Sequence, residues 1–92
     1  MQIKLASRVS AIPDQVSCDL SGEAAVLSLR SGIYYGLNPV GARIWALVQK
    51  PVVVTEILQT IVAEYEVDAS VCEADLMQVL GDLATHGLLE VV

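Results

Sequence analysis

The apolar pattern of this chain changes its period at Asn38–Pro39, and this change sets the order of its secondary structure. Before this point, residues 25–30 alternate between two faces, with Val26 and Ser28 on one of them. That period of two predicts a β-strand. After it, apolar residues recur at spacings of three and four, which predicts amphipathic helices. Asn is a favoured helix cap and Pro a favoured first helical residue, so we expect the helices to begin here.

Turn signals divide the first 37 residues into three predicted strands. Ser21-Gly22 is typical of a tight turn, and Ser31-Gly32 repeats the signal of a two-residue hairpin. Residues 8–15 predict an irregular start, interrupted by Pro13. We therefore expect a three-stranded antiparallel sheet, with strands near residues 16–20, over residues 25–30 and over Ile33–Leu37.

Three helices are predicted after the sheet. The first stops before Pro51, because proline disfavours helix in the residue ahead of it. The second, "VTEILQTIVAEY", places apolar residues at i, i+3, i+4, i+7 and i+8. The third begins at the capping-box pair Ser70 and Glu73 and ends at Gly87. The segment "LLEVV" then adds a short extended tail.

The third helix has one predicted core face, formed by Leu76, Leu80 and Leu83. Gly81 costs this helix about 1 kcal/mol relative to alanine, so either a neighbouring backbone or simple tolerance must account for it.

Composition narrows the classes of protein. With 92 residues and 54% hydrophobic side chains, the chain supports one core, and we expect a single domain over residues 1–92. A net charge of −6 with five Lys and Arg argues against nucleic-acid binding. No apolar run reaches the roughly 18 residues that span a membrane, and the start lacks a signal peptide, so we expect a cytoplasmic protein without membrane contact.

Catalytic chemistry is scarce in this sequence. His86 is the only histidine, and its place in the last turn of a predicted helix is explained by the helix dipole. Cys18 and Cys72 lack the spacing of a redox pair or a metal site, and we expect both to be buried free thiols. We therefore predict no enzyme activity, no bound metal and no cofactor.

Recognition by backbone is the remaining option. The segment "IYYGL" carries neither the lysine nor the proline that usually guards a strand at the edge of a sheet. Such an edge accepts an extended peptide as an added strand. The alternative is that "IYYGL" is an interior strand or packs beneath a helix.

The segment "YYGLNPVGARIW" resembles the PqqD-like peptide-binding domains, also called RiPP recognition elements. The similarity continues through "VVVTEILQTIVAEYEVD" and "ADLMQVLGDLATHGLLEV" and covers roughly residues 15–92. It implies an α+β fold of three strands and three helices, similar to a winged helix-turn-helix. It also implies that the protein binds the leader segment of a ribosomally made precursor peptide.

Chains of this length resemble the small partner protein of lasso peptide systems, in which a separate cysteine protease and a macrolactam synthetase do the chemistry. The alternative subgroup is a peptide chaperone that serves pyrroloquinoline quinone synthesis beside a radical enzyme.

The resemblance also implies where the leader docks: along the third strand, in a groove walled by the third helix. On this chain the strand is Ile33, Tyr34, Tyr35, Gly36 and Leu37. The wall is the stripe Asp75, Val79, Asp82 and His86, and the predicted site also includes the adjacent residues Leu76 and Leu83. Val79 offers apolar contact, and the two aspartates meet a donor or cation on the leader, unless they are ordinary exposed helix charges. Adjacent strand residues point to opposite sides, so one tyrosine faces the groove, and the sequence leaves open which one.

Two further classes of protein remain open. A winged-helix regulator has nearly the same fold, but the predicted third helix carries no Lys or Arg between residues 71 and 87, which disfavours contact with DNA. A structural subunit could use the same edge to pair with a folded enzyme or with itself.

Overall fold

The computed structural model describes residues 3–13 and 15–92. The predicted order, a sheet followed by three helices in an α+β fold, is confirmed. In chain order the elements are β1 (Arg8–Ala11), β2 (Gln15–Leu20), β3 (Glu23–Ser28), β4 (Tyr34–Leu37), α1 (Pro39–Leu47), β5 (Val52–Val53), α2 (Val54–Tyr65), α3 (Ala69–Thr85) and β6 (Leu89–Val91).

The predicted sheet has the strand order β2-β3-β4 and is antiparallel throughout. Its first turn is tight, because Ser21 and Gly22 both adopt positive φ angles of 57° and 91°. The second connection is not the expected two-residue turn: residues 29–33 form a longer loop, in which the Gly32 N–H donates to the Ser28 carbonyl at 2.8 Å. As a result β4 begins at Tyr34, one residue later than predicted.

A second sheet, with the order β5-β1-β6, was not predicted. Its central strand is β1, where an irregular start was expected, and the tail "LLEVV" supplies β6. Val9 in β1 is fully buried and lies opposite Val52 and Val91. The three strands have four, two and three residues, too few to show a period of two in the sequence.

The first residues of two helices are held by side-chain caps. The Asn38 side chain accepts a hydrogen bond from the Gly41 N–H at 2.8 Å, which confirms the predicted start of α1. For α3 the predicted cap was wrong. The cap is Asp68, whose carboxylate accepts from the N–H groups of Ser70 and Val71, because the helix begins at Ala69 and Ser70 already lies inside it.

The hydrophobic core is formed by residues of all three helices and of both sheets. The predicted core face of α3 is confirmed, since Leu76, Leu80 and Leu83 are at most 1% exposed. At the surface, Arg43 of α1 and Glu64 of α2 form a two-pronged ion pair with a shortest distance of 2.8 Å, and the hydrogen bond from Arg43 lowers the pKa of the Glu64 carboxyl.

The two cysteines differ in their surroundings. Cys72 is buried, as expected, and this burial, followed by the nearby Asp75 charge, raises the pKa of its thiol. Cys18 is exposed, so its predicted burial was wrong. It pairs across the sheet with Ala25, and apolar residues elsewhere on β2 and β4, Val16 and Tyr34, are exposed as well.

Candidate functional site

Strand β4 lies at one edge of its sheet. It pairs with β3 on one flank, and no strand among the described residues pairs with the other flank. The Ser28 N–H donates to the Ile33 carbonyl at 3.1 Å, which places this pair in hydrogen-bonded register. Bonds to a neighbour alternate along an antiparallel strand, so the N–H and C=O groups of Tyr34 and Gly36 point to the open flank. Four backbone groups are therefore available to an added strand.

The two adjacent tyrosines face opposite sides of this sheet. Tyr34 is 71% exposed on the outer face, where it lies beside Leu27 of β3. Tyr35 lies beside fully buried Val26 and packs partly against the core. Tyr35 is therefore the tyrosine that faces α3.

One end of the groove between β4 and α3 is polar. The Tyr35 hydroxyl donates to the Asp82 carboxylate at 3.4 Å, and the Gln78 amide donates to the same carboxylate at 3.2 Å. The Tyr35 and His86 rings lie 5.0 Å apart, and His86 Nδ1 lies 2.7 Å from the Asp82 carbonyl oxygen. Because a carbonyl only accepts, Nδ1 is the donor. Burial, then the Asp82 charge and its hydrogen bond, raises the pKa of Tyr35.

The other end of the groove opens into an apolar cavity of about 360 Å³. It begins beside Asn38, directly after β4, and Asp75 and Val79 of α3 form part of its wall. This volume is at the lower end of the range for pockets that enclose small ligands or side chains. The rest of the lining comes from all three helices and the α2–α3 connection and includes Val40, Ile44, Ile61, Tyr65, Val67, Val71 and Leu76.

The structure distributes the predicted site residues unevenly. Tyr35, Asp82 and His86 lie together at the polar end, and Asp75 and Val79 lie at the cavity.

Three other predicted positions differ from this arrangement. Ile33 is exposed but precedes β4 instead of belonging to it. Leu76 is buried yet contributes to the cavity wall. Leu83 is fully buried, which corrects its inclusion, because it has no surface to offer a peptide.

Sequence reasoning missed two kinds of contributor. Gln78 lies four residues before Asp82 and donates to it, a spacing that a search for i, i+4 polar pairs on the predicted helix would have found. Tyr65 and Val67, at and just beyond the end of α2, line the cavity only because α2 and α3 pack together, and no local pattern signals this.

A second cavity, of about 540 Å³, lies between the β2–β3 hairpin and α1. Its lining in the described part of the chain contains none of the predicted site residues. Trp45 contributes to it, and the Trp45 Nε1 is buried without a hydrogen-bond partner among the described residues. No residue of α3 lines this cavity, so it lies apart from the groove between β4 and α3.

Within residues 3–13 and 15–92 the structure brings together no group of three or more His, Cys, Asp or Glu residues that could hold a metal ion. No helix within them is long and apolar enough to cross a bilayer.

Comparison with known proteins identifies the family of this chain. The family model described as coenzyme PQQ synthesis protein D (PqqD) matches residues 23–89. The chain belongs to the PqqD family. Its matched region runs from the start of β3 to the start of β6, so it includes β4, α3 and the groove between them. No curated protein matches the chain significantly.

Solved structures similar to this PqqD-family chain include peptide complexes. TbiB1, solved in complex with the TbiA(beta) leader peptide, is 40% identical, with a TM-score of 0.81 over 88% of this chain and 94% of TbiB1. A lasso peptide synthetase B1 complexed with its leader peptide is 23% identical, with a TM-score of 0.77 over 89% and 96% of the two chains.

A third structure is the PqqD truncation of Methylobacterium extorquens PqqCD, a stand-alone RiPP recognition element. It is 19% identical, with a TM-score of 0.79 over 97% of this chain and 95% of that one. At this identity, as with the synthetase B1, the likeness is one of fold.

Proposed function

We propose that this protein binds the leader segment of a ribosomally synthesised precursor peptide as an added strand on β4. Residues 1–92 act as a single peptide-binding domain in the cytoplasm. The protein delivers the bound precursor to separate enzymes of lasso peptide biosynthesis, a cysteine protease and a macrolactam synthetase. The observation that carries this proposal is the open flank of β4 beside the groove of α3, in a chain 40% identical to a protein solved with a leader peptide.

Two parts of the groove contribute to leader binding in different ways. The N–H and C=O groups of Tyr34 and Gly36 bind the leader backbone, at about 0.5 to 1.5 kcal/mol for each hydrogen bond. They are indifferent to leader sequence. The apolar cavity beside Val79 takes a leader side chain, whose burial contributes about 1.5 to 3 kcal/mol. Micromolar affinity corresponds to about −8 kcal/mol, so a leader that loses entropy on docking needs both contributions.

The protein recognises its substrate and leaves the chemistry to its partners. Its family and structural neighbours are peptide recognition elements. His86, the only histidine, donates from Nδ1 to a backbone carbonyl and packs on Tyr35, which gives it a structural role.

The alternative within the family is a chaperone for pyrroloquinoline quinone synthesis. The PqqD truncation of known structure is 19% identical, against 40% for TbiB1, which was solved with a leader peptide, and this difference favours leader binding of the TbiB1 kind. DNA binding is disfavoured because α3 carries no Lys or Arg and the chain has a net charge of −6.

The test is a titration with the fluorescein-labelled TbiA(beta) leader peptide, followed by anisotropy and by amide hydrogen exchange. We expect saturable binding, with exchange slowed selectively at Tyr34 and Gly36, whose N–H groups face the open flank. The Tyr35 N–H faces β3 and serves as the internal control, since its protection should change little. Failure of this leader and of the precursor encoded beside the gene to bind would refute the proposal, and so would binding that leaves the Tyr34 and Gly36 amides unchanged.

A further inference from the structure

The Asp82 carboxylate, at the polar end of the groove, has only weak hydrogen-bond partners among the described residues. Asp82 is half-buried, and it accepts only long bonds, of 3.2 to 3.4 Å, from Tyr35 and Gln78. Among the described residues no Lys or Arg forms an ion pair with it. A carboxylate has about four acceptor positions, so Asp82 retains capacity for a further, stronger donor.

A second feature adds negative potential at the same place. Asp82 and His86 lie at the C-terminal end of α3, a helix of 17 residues. The last turn of α3 has no basic residue, so the negative end of its dipole is not compensated by a Lys or Arg of its own. The negative end of the dipole and the carboxylate therefore act together on whatever occupies this end of the groove.

The distance between the polar end and the cavity fits an extended peptide. The part of α3 that lines the cavity runs from Val71 to Val79, eleven to three residues before Asp82, which is about 16 to 4.5 Å at 1.5 Å per residue. Side chains on one face of a strand recur every two residues, at about 6.6 or 13 Å for offsets of two and four. Two leader side chains that both face α3 can thus reach the two ends of the groove.

The direction of the added strand orders these two anchors. All pairings in the β2-β3-β4 sheet are antiparallel, and antiparallel pairing is the more stable per residue. β4 runs from the polar end, at Tyr35, toward the cavity, at Asn38. An antiparallel leader therefore enters at the cavity and leaves at the polar end.

From these observations we infer that Asp82, framed by Tyr35 and the C-terminus of α3, is a subsite for a basic leader residue. That residue is a Lys or Arg that lies two or four positions C-terminal to the apolar residue held in the cavity. Asp75 is exposed and has no such frame, so it does not make this contact. The inference rests on the proposed function and specifies the class of leader that the site selects.

The test begins with a phage-displayed library of random 16-residue peptides, selected on the wild type, on Asp82→Asn and on Asp82→Lys. The wild type should enrich an apolar residue followed by Lys or Arg at an offset of two or four. Asp82→Asn, which keeps the shape and the acceptor for Tyr35, should lose the basic preference, and Asp82→Lys should replace it with Asp or Glu. Glu56→Gln, an exposed position at the start of α2, is the control for the change in net charge.

Affinity then measures the coupling between the two charges. Replacing the basic residue of the best peptide with Gln should weaken binding to the wild type and to Glu56→Gln by about three- to thirtyfold, and to Asp82→Asn by less than about twofold. Raising the salt concentration should weaken the original peptide more than its Gln variant, a measurement that needs no protein variant.

The outcomes separate this inference from the proposed function. Three results of the selection would overturn the Asp82 subsite and leave leader binding on β4 intact. They are enrichment without a basic residue, a basic residue at an odd offset or on the N-terminal side, and the same basic preference on Asp82→Asn. If neither the library nor any leader binds the wild type, the proposed function fails and the subsite fails with it.

Discussion

Replacing Gly36 with proline removes one backbone N–H from the open flank of β4 and leaves the bonds between β4 and β3 in place. Proline is tolerated in an edge strand when its missing N–H faces away from the sheet, as it does at this position. A Cβ added at Gly36 meets no other described atom within 4 Å, apart from its chain neighbours, so the backbone is not closely packed at this position. We expect Gly36→Pro to fold like the wild type, with the same circular dichroism spectrum.

The loss of leader affinity follows from the hydrogen bonds involved. In an antiparallel pair one residue exchanges both its N–H and C=O with its partner, so the proline ring eliminates one bond and pushes the second out of reach. Two bonds at about 0.5 to 1.5 kcal/mol each give a loss of about 1 to 3 kcal/mol, or roughly 5- to 150-fold in Kd.

The assay is calorimetry with the TbiA(beta) leader peptide, and the matched control is Gly36→Ala. Alanine adds a side chain but keeps the N–H, so its Kd should stay within about threefold of the wild type. A folded Gly36→Pro variant that binds like Gly36→Ala would refute strand addition on β4. If Gly36→Pro does not fold, N-methylation of successive leader residues provides the same test, since strand addition requires losses at every second position.

Three further predictions concern stability and thiol chemistry. Gly81→Ala should raise the free energy of unfolding by about 1 kcal/mol, or Tm by about 5 °C in thermal denaturation, because its side chain meets nothing within 4 Å. Gly41→Ala should give no such gain, since the added carbon lies 3.2 Å from both the Asn38 cap and the Leu37 side chain. Leu80→Ala should lower the free energy of unfolding by about 2 to 5 kcal/mol in urea titrations, because it empties a fully buried site; a loss below about 1 kcal/mol would contradict this packing. Cys18 should react with a thiol reagent at about pH 8 well before Cys72, whose raised pKa and burial keep it protonated and shielded; equal rates would contradict this assignment.

Several features of this protein are determined by local sequence and were predicted from it. Asn38 and Pro39 start α1 because the cap and the first helical residue act on their own neighbours. The core face of α3 follows from the spacing of Leu76, Leu80 and Leu83, because a helix places such residues on one side. The lack of guarding lysine or proline in "IYYGL" is likewise visible in the sequence.

Other features depended on contacts between distant parts of the chain. The β5-β1-β6 sheet joins residues near positions 9, 52 and 91, and its strands are too short to carry a pattern of their own. The direction of the two tyrosines also required the fold, since alternation says only that they face opposite sides, and packing on α3 selects Tyr35 for the groove. The cavity and the polar end of that groove exist because α3 packs beside β4. Tertiary packing sets the relative position of these two elements, and no local sequence pattern encodes it.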